Sequence, residues 1–69
     1  MNTYRRIEQI GDYSRITEVK ESGEWSMRVE WPDGLVTSTH ETTVRAMGWK
    51  SLNEFLKERP GFALVEVDE

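Results

Sequence analysis

The chain has 69 residues, below the roughly 100–150 of a typical domain, so it is read as one small domain spanning 1–69. Nine basic residues against 13 acidic ones give a formal net charge of −4, which disfavours both a polyanion-tracking surface and an anionic membrane surface. There is no Cys, so disulfides and thiolate metal sites are excluded.

The hydrophobic fraction is 36% and the charged fraction 32%, polar for a globular chain. Three Trp, two Tyr and two Phe nevertheless supply enough apolar area to argue against disorder. No apolar run approaches the roughly 18–20 residues of a membrane span. Met1 to Asp12 carries charges without an apolar h-region, so a cytoplasmic location is expected.

Tyr4 to Ile10 places Tyr4, Ile7 and Ile10 three apart before Gly11-Asp12 ends the segment. It reads as an edge strand or a single helical turn. Tyr13 to Lys20 is rich in β-branched residues and reads as a strand. Ile16 and Val19 are three apart, so sharing a face would require a bulge. Glu21 to Glu24 reads as a hairpin turn around Gly23.

Glu24 to Trp31 is the clearest strand. Trp25, Met27, Val29 and Trp31 alternate with Ser26, Arg28 and Glu30, the period of a strand with one buried face. Pro32-Asp33-Gly34 is a strong turn signal. Leu35 to Thr39 is the return strand. A three-residue loop puts Leu35, Thr37 and Thr39 on the Trp face; a two-residue loop puts Val36, Ser38 and His40 there instead.

Glu41 to Arg59 reads as helical, in two short pieces broken near Gly48-Trp49. Thr42 or Thr43 can cap the first piece. Ser51 to Glu54 fits a capping box for the second, with Leu52, Phe55 and Leu56 as its core stripe. Pro60-Gly61 ends it. Phe62 to Val67 is a final strand, apolar enough to be central or to lie on a helix.

These elements define the α+β class. The expected fold is a small twisted antiparallel sheet of three to five strands, in the order β-β-β-α-β, with one broken helix on one face. The alternative is an SH3-like, partly open barrel plus helix.

Chemistry is sparse. His40 is the only histidine and Glu41 follows it, but HETTV lacks the second His of a zinc hydrolase motif. No Ser sits in a nucleophile elbow, and the five Gly form no phosphate-cradling loop. No calcium loop is present, and one His leaves any zinc site to scattered carboxylates. The expectation is therefore no enzyme, no cofactor and no metal.

Protein binding is the leading expectation. A small sheet has two edges that invite pairing, and three Trp exceed what a small core readily buries. Trp25, at the start of its strand, and Trp49, at the helix break, are the protein-binding candidates. The expected function is a non-enzymatic interaction module: a regulator or inhibitor of a larger protein, of phage or plasmid origin, or a homodimer. The alternative is single-stranded nucleic-acid binding by the sheet face through Arg5, Arg6 and Arg28. Against it, Arg28 alternates away from the Trp face, whereas base stacking needs arginine and aromatics together.

Overall fold

The computed structural model describes residues 2–67. Its elements are β1 (Asn2–Ile10), β2 (Tyr13–Lys20), β3 (Glu24–Glu30), β4 (Val36–Thr43), α1 (Leu52–Glu58) and β5 (Ala63–Val67). The five strands form one antiparallel sheet in the order β4-β3-β2-β1-β5. The first four strands are a meander, and the chain then crosses by way of α1 to add β5 beside β1. The sheet is not closed; β4 and β5 are its edges.

Three expectations are corrected here. Residues 4–10 are neither an edge strand nor a helical turn: β1 lies inside the sheet, paired with both β2 and β5. Its Arg-Glu-Gln content is tolerated because cross-strand charges neutralise one another. The final strand is not central. It pairs only with β1, and Leu64 and Val65 stay exposed. The first helical piece is absent: the return strand runs on through Thr43, and residues 44–48 form turns. β-branched Val36, Thr37, Thr39, Thr42 and Thr43 favour the pleated conformation over a helix here.

The register assigns each face. Tyr4, Val19 and Trp25 are cross-strand partners, as are Arg6, Thr17 and Met27. Side chains alternate along strands, so these six share the face that α1 covers. Arg5, Glu18 and Ser26 pair on the opposite, open face, as do Ile7, Ile16 and Arg28. Strand β2 pairs without a shift on both sides, so the bulge expected there is not formed. Ile16 and Val19 are simply buried on opposite faces, at 7% and 0% exposure.

The irregularity falls in β4 instead. The Pro32–Gly34 turn is closed by Gly34 N–H donating to the Trp31 carbonyl at 2.9 Å and Trp31 N–H donating to the Leu35 carbonyl at 2.9 Å. Gly34 has φ +89°, which an L side chain adopts only with strain. Val29 pairs with Thr37, as the three-residue loop requires. A register shift between Met27 and Val29 then brings His40 and Thr42 onto the same face. Ser38 absorbs that shift with φ +54°.

The core is small. Val19, Val44 and Phe55 are buried, and Tyr4, Trp25, Trp49, Leu52, Leu56 and Phe62 pack around them. Ser51 caps α1, its hydroxyl accepting from Glu54 N–H at 3.2 Å, as the sequence pattern requires. Phe55 is 2% exposed and meets Trp49 and Phe62 edge-on or tilted at 5.7 and 5.4 Å. Full burial of such a side chain contributes about 1.5–3 kcal/mol. No helix among the described residues is long and apolar enough to cross a membrane.

Phe55→Ala is expected to cost about 3–5 kcal/mol, a large share of a small domain's stability. Ile7→Ala, on the open face, is expected to cost less than about 1 kcal/mol. Urea denaturation followed by Trp fluorescence measures both, and equal costs would relocate the core.

Candidate functional site

Three surfaces carry side chains that the core does not use. The first is the sheet end formed by the Gly11-Asp12 and Pro32–Gly34 turns. Trp31 and Leu35 are exposed there, at 38% and 56%, and Val36 is exposed beside them. The Trp31 ring stacks at 50° on Tyr13, centroids 5.0 Å apart, and its indole N–H donates to Thr37 Oγ1 at 3.0 Å. The indole is therefore held in place while its outer surface faces water. Asp12, Pro32, Asp33 and Leu35 complete a shallow depression around it. Asp33 Oδ1 accepts from Leu35 N–H at 3.0 Å, which fixes the turn.

The second surface is the β4 edge, which continues from that depression. Its sequence, VTSTHETT, contains no Lys, Arg or Pro. Those residues commonly discourage pairing at an edge; here the acidic Glu41 and the bulge at Ser38 are what remain to do so. His40 is exposed and meets the Trp25 ring edge-on at 6.0 Å. It shares a shallow depression with Glu18, Arg28 and Glu41. Among the described residues, no three His, Asp or Glu side chains gather as a metal-holding group.

The third is a cleft of about 260 Å³ between α1 and the sheet. Arg6, Arg15 and Arg59 line it together with Glu8, over Thr17, Met27 and the flanks of Trp25 and Phe62.

The sequence candidates are distributed across these surfaces. Trp25 and Trp49 are both half-buried against the core, Trp49 beneath the Arg59 guanidinium at 6.0 Å. The arginine set is split. Arg5 and Arg28 lie on the open face, where Arg5 Nε donates to Glu18 at 2.7 Å and Arg28 Nε donates to Glu30 at 2.8 Å. The bond to Glu30 raises the Arg28 pKa above its ordinary value, against the opposing effect of desolvation. Arg6 alone of the three faces the aromatics.

Sequence reasoning missed Trp31, Leu35, Arg15 and Arg59. The signal for Trp31 was its place beside the Pro-Asp-Gly turn, where a short helix cannot reach. The signal for Arg15 was strict alternation from Val19, hidden by the bulge assumed in β2. Comparison with models of protein families, with curated proteins and with solved structures returns no match.

The two tryptophans separate by stability. Trp49→Ala removes a ring packed on Phe55 and is expected to cost about 2–4 kcal/mol. Trp31→Ala removes a half-solvated ring and is expected to cost about 1 kcal/mol. Chemical denaturation of both variants checks the order; the reverse order would place Trp31 in the core.

Proposed function

We propose that this protein is a non-enzymatic interaction module that captures an extended segment of a partner protein along β4, anchored at the Trp31–Leu35 depression. One observation carries the reading: an edge strand without Lys, Arg or Pro runs directly into an exposed, pre-positioned indole. Strand addition gives affinity through main-chain hydrogen bonds, and a side-chain pocket beside it gives selectivity. Trp is the residue type most enriched among interface hot spots.

The chemistry of the surface selects the partner. Asp12 and Asp33 flank the depression, and Glu41 is the one formally charged residue of β4 at neutral pH. A segment carrying Lys or Arg around an apolar anchor complements this pattern. A second copy of the chain would bring the same carboxylates together, so a different protein is favoured over self-pairing. Regulation or inhibition of that larger protein is the role such capture would serve. Trp25 and Trp49, packed against the core, are not part of this surface.

The reading is tested by affinity capture from lysate of the source cells after nuclease treatment. The tagged wild-type chain is compared with Leu35→Asp and Thr39→Lys. The expected result is a stoichiometric protein partner whose affinity falls about tenfold or more in each variant, with unchanged circular dichroism. Undiminished capture by both variants, or loss of all bound material to nuclease, would sink it.

A further inference from the structure

The cleft between α1 and the sheet holds an unusual charge arrangement for an acidic chain. Glu8 Oε1 accepts from Arg15 Nε at 3.0 Å and from Arg15 Nη2 at 2.9 Å. Glu8 Oε2 accepts from Arg15 Nη2 at 3.1 Å and from Arg6 Nη2 at 3.2 Å. One carboxylate thus draws two guanidinium groups to the same wall. Arg59 reaches the cleft from the end of α1, and no ion pair holds it among the described residues. Three guanidinium groups against one carboxylate leave two positive charges in excess. Trp25 and Phe62, both half-buried, supply aromatic wall beside them.

We propose that this cleft binds a nucleotide: a phosphate monoester held by Arg6, Arg15 and Arg59, with its base against the aromatic wall. The phosphate source is either a free nucleoside monophosphate or the phosphorylated 5′ end of a single strand. A phosphate monoester carries about −1.5 to −2 at neutral pH, which matches the excess; a lone carboxylate would leave it half neutralised. Arg59 offers its guanidinium fork to paired phosphate oxygens, and Arg6 and Arg15 offer the N–H groups that Glu8 leaves free. Bases stack on aromatic rings irrespective of sequence. The cleft, about 260 Å³, is smaller than the roughly 300–1,000 Å³ of most ligand pockets, so it takes a single unit and leaves part of it in solvent.

A longer strand finds no continuation. Tracking a phosphate backbone requires a series of uncompensated cations. Arg5 and Arg28 are bound to Glu18 and Glu30 on the opposite face. Recognition is therefore confined to a single phosphorylated unit. This site is separate from the β4 surface, and the two readings stand or fall independently.

Titration of the full chain, followed by Trp fluorescence and amide chemical shifts, tests the proposal at low salt. The probes are adenosine monophosphate, adenosine, inorganic phosphate, phosphotyrosine, and a short single strand with and without a 5′ phosphate. Saturable binding of the monophosphate is expected, about tenfold or more tighter than adenosine, and about tenfold weaker in Arg59→Gln and in Arg15→Gln. Arg28→Gln, on the open face, should leave it unchanged, as should Leu35→Asp. A 5′-phosphorylated strand binding as well as the monophosphate assigns the site to strand ends; a strand at least tenfold weaker assigns it to free nucleotide. No saturable shift with the monophosphate, equal loss in Arg28→Gln and Arg59→Gln, or preference for phosphotyrosine would overturn it.

Discussion

A helix too short for its sheet governs this structure. The seven residues of α1 span about 10 Å, whereas the nine residues of β1 extend about 30 Å. The helix therefore covers only the end of the sheet where Tyr4, Val19 and Trp25 lie. Phe55 is its one fully buried contact, wedged against Val19 and Val44. Everything beyond Phe55 on that face must be solvated or paired by other means. The arginine-lined cleft and the exposed tryptophan are both consequences of that shortfall.

The sheet compensates with charge pairs in place of hydrophobic cover. On the helix face, Glu8 draws in Arg6 and Arg15. On the open face, Glu18 bridges Arg5 and Arg28, and Arg28 reaches on to Glu30. The long aliphatic stems of these arginines lie across the strands and shield apolar surface while their heads remain wet. Ile16 is buried on the open face with Ile7 and Arg28 as its cross-strand neighbours. Exposed ion pairs of this kind each contribute little, about 0–1 kcal/mol, so their greater effect is to hold side chains in fixed places. A guanidinium fixed in this way is better prepared to meet a ligand than a free one.

The parts of the fold legible in the sequence were those with local signals. Alternation in β3, the Pro32–Gly34 turn and the Ser51 cap each follow from neighbouring residues alone. What was hidden depended on distant pairing. That β1 lies between β2 and β5 cannot be read from residues 2–10, because position in a sheet is a property of the partner strands. The tract Glu41 to Met47 carries weak helical spacing, yet Thr42 and Thr43 extend β4 because they pair with Trp25 and Glu24. The candidate sites follow the same division. Trp25 and Trp49 were conspicuous as residue types, whereas the exposure of Trp31 and the convergence of Arg15 and Arg59 depend on where α1 stops.

Net charge proved a coarse guide to the local field. A net charge of −4 disfavours a polyanion-tracking surface as a whole, yet the acids and bases are unevenly placed. Screening in physiological salt limits exposed charges to interactions within about 8 Å, so carboxylates elsewhere on the surface weigh little inside the cleft. What a ligand meets there is the ratio of three guanidinium groups to one carboxylate, beside apolar walls that lower the local dielectric. At the opposite sheet end, Asp12 and Asp33 set a negative field around an apolar anchor. One small domain thus presents two patches of opposite sign along one sheet face, both left open where α1 stops short.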